Sequence, residues 1–398
     1  MATAPLRNQA DRRKRSLPKI RPFSYEAAMA KTDLLSFTLE ELEETLQAEG
    51  YPGYRARQVY SWLYGRRVRD PSEMKNLPKA LRVDLSEIAD TISVTVGSIR
   101  TSKLDGTKKL TIRLRDGLAV ESVLMFDEGK ATVCASTQVG CALGCSFCAT
   151  GRMGLARNLS TGEIVGQVLE ASAMLSRGAS VSRTNVVFMG MGEPLANTAA
   201  LFKAIRILND PNGLAIGARR MTVSTVGLPA GIRRLGKLGI QAGLAISVNA
   251  ADEELRSELM PVNRRHPLSR VIDAASDYAA GTRRRVTLEY VLLGGVNDRK
   301  KDAVSLAALA RKLPCKINII EYNAFPGSVF RPATPGSLAR FRDYLYDHAP
   351  AVMVRRSKGS DIDAACGQLH IPNGRAPRGS WGKRGLRGKT ASPRKRTV

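Results

Sequence analysis

The sequence predicts an α/β fold in which a parallel sheet with helical crossovers forms the main body, preceded by a small helical domain and a short antiparallel β extension. Three observations carry this. Beyond Ala131, apolar runs of strand length (Asn185 to Met189, Arg220 to Ser224, Ala242 to Ser247, Arg285 to Leu292, Lys316 to Glu321) alternate with helical stretches such as Thr161 to Leu175 and Lys300 to Lys312. From Thr38 to Ile88 apolar residues recur at helical spacing, and from Thr91 to Phe126 the period shortens to two. A chain of 398 residues is long enough for one barrel-sized domain and a smaller companion.

Each element has a local reason. Thr38 and Glu41 form a capping-box pattern ahead of Leu39, Leu42 and Leu46, which share one helix face. A second helix is expected from Tyr54 to Tyr64 through Val59, Trp62 and Leu63, and Pro71 opens a third helical segment through Met74, Leu77 and Leu81. The turn signal Asp105-Gly106 precedes the strand-like Leu110 to Leu114 and Ala119 to Met125. In the parallel sheet that follows, ligand-binding residues are expected at the C-terminal ends of the strands, where the polar and Gly-rich clusters fall.

Composition narrows the partners. Hydrophobic residues make up 43% and charged residues 25% of the chain, ordinary values for a globular protein. No apolar run reaches bilayer length. Met1 to Pro22 is polar and basic, with Arg12, Arg13, Lys14 and Arg15 together, and lacks the apolar stretch of a secretory signal. The expected setting is cytoplasmic, away from any membrane. The net charge is +26, from 62 Lys and Arg against 36 Asp and Glu. Basic tails (Arg7 to Arg21, Arg375 to Arg396) contribute, yet the interior is basic too, at Arg264-Arg265, Arg283-Arg284-Arg285 and Arg355-Arg356. Counterion release from phosphates is the usual use of such surfaces, which ranks nucleic acid ahead of membrane or acidic protein.

The chemistry concentrates in cysteine. Of six cysteines, four lie between Cys134 and Cys148. Cys141-Ala-Leu-Gly-Cys145-Ser-Phe-Cys148 places three thiols on one loop, able to hold three irons of a [4Fe-4S] cluster and leave the fourth open. A zinc site would need a fourth ligand, and none of the three histidines is near in sequence. Gly190-Met191-Gly192-Glu193 follows an apolar strand, so it reads either as a close approach of backbone to ligand or as a turn. Read by themselves, Cys366 is a small buried hydrophobe, Cys134 as readily a buried strand cysteine as a reactive one, Glu121 an exposed strand residue, and Cys315 a structural thiol.

Cys-x3-Cys-x2-Cys with an aromatic before the last Cys resembles the cluster loop of the radical S-adenosylmethionine (SAM) superfamily. Together, Cys134-Ala-Ser-Thr-Gln-Val-Gly-Cys141, Gly190-Met-Gly192-Glu193-Pro194-Leu195 and Asp361-Ile-Asp363-Ala-Ala-Cys366-Gly-Gln-Leu369 resemble the RlmN family of RNA adenine-C2 methyltransferases, with similarity from about Leu35 to Leu369. The resemblance implies a partial (β/α)6 radical SAM barrel, with a [4Fe-4S] cluster on Cys141, Cys145 and Cys148 and two SAM molecules per turnover. It implies methylation of 23S rRNA at the peptidyl transferase centre and of the tRNA anticodon loop, with electrons from a donor such as flavodoxin, by a monomer. It assigns SAM binding to Gly192, Glu193, Ser224, Ser247, Val248, Asn249 and Asn323, although the family usually has His at the position of Asn249. It makes Cys366 the methyl carrier, Cys134 the cysteine that resolves the RNA adduct through a transient disulfide, and Glu121 a proton acceptor.

Expected boundaries are a basic disordered tail (1–22), a helical RNA-binding accessory domain (35–90), the antiparallel extension (91–130), the barrel with its C-terminal catalytic Cys loop (131–370) and a second basic disordered tail (371–398). The related C8 methyltransferase family Cfr usually carries Ala where this chain has Pro194, which favours C2. A non-enzymatic Fe-S RNA-binding homologue is the rival from another class, and the intact Cys134 and Cys366 argue against it.

Overall fold

A computed structural model describes residues 31–175 and 183–371, so both expected tails, 1–22 and 372–398 of the second, lie outside the described residues. The chain enters through a short strand β1 (Thr32–Asp33) and three helices, α1 (Leu39–Ala48), α2 (Tyr54–Tyr60) and α3 (Lys79–Ile88), before strand β2 (Ala89–Asp90) pairs with β1 in parallel. The capping box at α1 forms as the sequence predicts: Glu41 N donates to Thr38 Oγ1, and Thr38 N donates to Glu41 Oε2. Leu39, Leu42 and Leu46 are buried, as are Val59, Leu63, Met74, Leu77 and Leu81. The second helix ends earlier than expected and runs on as a π turn from Ser61 to Gly65.

This helical unit shares one apolar core with the rest of the molecule. Ser93 Oγ donates to Asp33 Oδ1, Gly162 N donates to Ser36 Oγ, and Lys203 pairs with Glu41. Such ties fix the helical unit against the main body.

Strands β3 (Val94–Thr101), β4 (Lys108–Leu114), β5 (Ala119–Asp127) and β6 (Lys130–Cys134) run antiparallel in succession. A separate hairpin, β7 (Gln138–Cys141) and β8 (Gly154–Asn158), flanks the short helix α4 (Ala149–Arg152). The crossovers then follow: α5 (Thr161–Ala173), β9 (Arg183–Phe188), α6 (Thr198–Asn209), β10 (Met221–Thr225), α7 (Pro229–Gly236), β11 (Gly243–Ser247), α8 (Glu253–Leu259), α9 (Leu268–Thr282), β12 (Val286–Leu292), α10 (Lys300–Ala310), β13 (Cys315–Glu321), α11 (Pro335–His348) and β14 (Val352–Arg355).

The main sheet has ten strands in the order β14-β13-β12-β11-β10-β9-β6-β5-β4-β3. Parallel pairing runs from β6 through β9 to β14, so six barrel strands carry a short seventh at the edge. The antiparallel extension continues the barrel sheet through the β5–β6 pair, because β6 bonds β5 on one side and β9 on the other. Strand residues such as Val133, Phe188, Val223, Ile246, Leu288 and Ile319 meet helix residues such as Val168, Ile205, Ile232, Val271 and Leu306 in the core. Among the described residues no helix is long and apolar enough to cross a membrane.

Candidate active site

The three clustered thiols sit between β7 and α4. Gly144 turns the loop at φ +65°, and a Cβ on Gly151 would stand 3.0 Å from both the N and O of Cys145. Ser146 N donates to Leu259 O at the end of α8 (3.0 Å), which ties the loop on one side. On the other side Ala149 N donates to Gly367 O (2.8 Å) and Thr150 Oγ1 to Leu369 O (2.6 Å). Burial pushes the Cys141 thiol up to about 12 and raises Cys145 and Cys148 as well.

Buried thiols of this kind ionise when a metal takes the place of the proton. Among the described residues no three His, Cys, Asp or Glu side chains gather where a single ion would be held. A four-iron cube asks for something different, three thiolates each on its own iron corner. The donor set of Cys141, Cys145 and Cys148 fits the cube and lacks the fourth donor of a structural zinc site.

Two cavities meet beside this loop. One is lined by Cys145, Cys148, Gly192, Glu193, Ser224, Ser247, Asn249 and Glu289, and it reaches Cys366. Its carboxylates and hydroxyls, next to the thiols, suit a sulfonium cation that also carries an amine and a ribose. Gly192 has φ +98°, and a Cβ there would stand 2.5 Å from Gln138 Cβ. Its glycine therefore answers to sheet packing, in addition to any ligand. The Glu193 carboxylate accepts from Leu195 N (2.9 Å) and Val226 N (3.0 Å), and burial raises its pKa.

Ser224 Oγ donates to Glu289 Oε2 at 3.1 Å. Val248 is fully buried, its N–H bonded to Glu289 O. Asn249 holds a left-handed backbone at φ +55°, a conformation that Asn tolerates better than most residues. Its Oδ1 accepts from Val291 N at 2.9 Å, so the side chain spans two strand ends. Asn323 Nδ2 donates to Ser357 Oγ (2.7 Å), a residue of the second cavity.

That second cavity is lined by Val123, Met125, Cys134, Cys148, Arg355 and Lys358, and it shares Cys366 with the first. Cys134 ends β6, in register with Val123 and Val187. Burial lifts its thiol to about 12, the Cys366 charge adds to this, and the Arg355 guanidinium opposes both. Cys366 is exposed, unlike the buried residue its type suggests, and lines both cavities. Burial raises its thiol, and again Arg355 pulls it back. Both cysteines are free thiols here.

Glu121 departs from the bland expectation of an exposed strand residue. It is 3% exposed, with Oε1 paired to Lys109 Nζ at 3.0 Å and Oε2 accepting from His370 N at 2.8 Å. Lys109 Nζ also donates to Asp363 O at 3.1 Å. The buried pair thus holds the Cys366 segment at both ends. Burial raises the Glu121 carboxyl, with Lys109 as the main opposing influence.

Arg355, Glu289 and Lys109 were missed in the sequence reading. Arg355 counted only as surface charge, whereas the Cys366, Glu289 and Cys134 charges converge on it. A carboxylate in the apolar run Val286 to Leu292 was the available signal for Glu289. Cys315 is buried with its Sγ on Ala310 O, a structural thiol as expected.

Known proteins resemble this chain over most of its length. Residues 135–307 match the radical SAM superfamily, and residues 32–91 match the ribosomal RNA large subunit methyltransferase N-terminal domain. The dual-specificity RNA methyltransferase RlmN of Pelobacter propionicus is 44% identical over 85% of this chain and 96% of its own length. The corresponding protein of Syntrophobacter fumaroxidans is 45% identical over 84% and 96%. The crystal structure of a radical SAM methyltransferase from Sphaerobacter thermophilus superposes with a TM-score of 0.81 at 45% identity, covering 85% of this chain and 99% of that one.

Proposed function

Since the chain belongs to the RlmN family of dual-specificity RNA methyltransferases, we propose that it methylates C2 of an adenine in 23S rRNA and in tRNA through a methyl group carried on Cys366. One observation carries this reading: Cys366 stands on the wall shared by two cavities, one bordered by Cys145 and Cys148 and the other by Cys134. A carrier that must collect a methyl group at one place and deliver it at another needs such a position. Cys141, Cys145 and Cys148 would hold the [4Fe-4S] cluster, which would supply an electron for reductive cleavage of SAM and so a radical route.

Ring C2 of adenine is electron-poor and offers no nucleophile to a methyl cation, which is why a carried methyl is needed. Cys366 Sγ loses its proton and accepts the methyl group on the side of the first cavity, where Gly192, Glu193, Ser224, Ser247 and Asn249 are assigned to SAM; Val248 and Asn323, assigned with them, do not line that cavity. Arg355 favours the thiolate needed for that transfer. After the new carbon bond forms, the Cys134 thiolate attacks Cys366 sulfur. The sulfur–sulfur bond forms as the carbon–sulfur bond breaks, the bonding pair leaves with the carbon, which takes up a proton to complete the methyl group, and a reductant then restores both thiols. Glu121, proposed as proton acceptor, also fixes the end of the Cys366 segment through His370 N.

The helical domain and basic tails are read as RNA-contacting parts of a cytoplasmic monomer that draws electrons from a donor such as flavodoxin. Anaerobic reconstitution followed by SAM, reductant and RNA tests the reading, with nucleoside mass spectrometry as the readout. The expected product is 2-methyladenosine. Formation of 8-methyladenosine would reassign the chain to Cfr-type chemistry, and absence of 5′-deoxyadenosine would leave a non-enzymatic Fe-S RNA-binding homologue.

A further inference from the structure

Arg256 is the largest fully buried side chain in the described structure, at 0% exposure on α8. Every acceptor it meets is neutral. Nε donates to Val248 O (3.2 Å), Nη2 to Val226 O (2.6 Å) and Ser247 O (3.3 Å), and Nη1 to Asn263 Oδ1. Among the described residues no carboxylate lies within ion-pair distance of it. Glu253 acts on it only at longer range and spends its own oxygens on Asn263, Leu268 N and Ser269 N.

Burying a cation without a counter-charge is strongly unfavourable. Burial pulls the guanidinium down only to about 10, so it stays charged at neutral pH. Neutral donors could satisfy the same four acceptors without that penalty, which means the charge itself needs a partner. The structure shows where one belongs. Val226 and Ser247, whose carbonyls Arg256 holds, line the first cavity together with Cys145 and Cys148, and α8 touches the cluster loop through Ser146 and Leu259. Leu259 and Met260 pack in the same apolar group as Cys145 and Phe147. Three thiolates on a dicationic four-iron core leave a net negative charge, and reduction adds one more.

We propose that Arg256 is a positioning residue whose fixed positive charge is the buried counter-ion of the cluster, raising its reduction potential while it ties together the ends of β10 and β11. The inference rests on the cluster reading above. It separates the roles of charge and hydrogen bonding, because Lys keeps the first and loses most of the second.

The test uses the reconstituted full chain without SAM or RNA, titrated electrochemically with electron paramagnetic resonance as the readout. Arg256→Met should retain the chromophore and shift the midpoint to more negative potential, and Arg256→Lys should stay near the parent. Glu253→Gln, which removes the nearby negative charge and leaves Arg256 in place, should shift the midpoint the other way, so the sign remains testable if the Met variant does not fold. Thermal melts add a second readout: the stabilisation gained on cluster loading should shrink in Arg256→Met and persist in Arg256→Lys. An unchanged midpoint in Arg256→Met, equal shifts in the Met and Lys variants, or no upward shift in Glu253→Gln would overturn the inference and leave Arg256 as a strand-end tie. A parent chain that takes up no cluster would instead sink the underlying reading.

Discussion

Lys109→Met probes the buried pair that holds the Cys366 segment. Lys109 and Glu121 are both about 5% exposed or less in their side chains and lie 3.0 Å apart, so their attraction is little screened by solvent. Removing one partner leaves the other charge uncompensated, a change that typically costs about 3–5 kcal/mol. The hydrogen bond to Asp363 O is lost as well, worth about 1 kcal/mol. Glu121→Gln should cost a similar amount by stranding the ammonium, although the amide oxygen can still accept from His370 N. The double variant removes both charges together and should recover much of the loss, giving a coupling energy of about 2 kcal/mol or more. Urea denaturation of the apo chain followed by circular dichroism measures the cycle. Because Asp363 and His370 bracket Cys366, the single variants should also let iodoacetamide reach Cys366 faster. Additive losses, with coupling within about 0.5 kcal/mol, would refute the reasoning, since independent sites behave that way.

Four further outcomes are expected. Replacing Cys141, Cys145 or Cys148 with Ala should abolish the brown chromophore and 5′-deoxyadenosine formation together, and a variant keeping the full [4Fe-4S] spectrum would break the assignment. Cys366→Ala should assemble the cluster but methylate nothing, while Cys134→Ala should stall as an RNA-linked protein visible on denaturing gels. Normal turnover by either variant would remove the carrier mechanism. Arg355→Met should slow methyl loading of Cys366, followed by intact-protein mass, severalfold, because the thiolate loses the guanidinium that favours it; Arg355→Lys should lose much less. Deleting residues 372–398, which carry nine Lys and Arg, should flatten the salt dependence of RNA affinity by up to about six in log–log slope, and an unchanged slope would make that tail dispensable for binding.

The alternating elements of the barrel were legible because buried parallel strands are short apolar runs and their crossover helices are periodic. The last strand, Val352–Arg355, was not read as one. It has four residues, carries an arginine and lies at the sheet edge, where only one neighbour and little burial shape its sequence. The same arginine was read as surface charge, since nothing in the sequence shows that the strand end turns into a cavity. The thiol loop was legible from spacing alone, because three donors for one cluster must be close together. Cys134 and Cys366 are 232 positions apart and acquire meaning only when the sheet brings them to one cavity. Glu121 was read as exposed because the alternation of a two-sided strand does not say which face is covered, and here the Cys366 segment covers it.

The continuity of the sheet explains why the antiparallel extension matters to the site. Had β3 to β5 formed a separate module, Lys109 and Glu121 would have no fixed relation to a segment more than two hundred residues later. Because β5 pairs with β6, the first barrel strand, Glu121 and Cys134 keep a set distance along one sheet. The C-terminal segment then lies across this frame, bonded to Lys109 and Glu121 at Asp363 and His370 and to the cluster loop at Gly367 and Leu369. Four ties within eight residues restrain the backbone around Cys366, so its sulfur is best placed to change cavities by side-chain rotation. A freely swinging loop would have to break those ties in every turnover, whereas rotation about χ1 leaves them intact. The residue proposed to carry the methyl group is thus held in place by the extension that precedes the barrel.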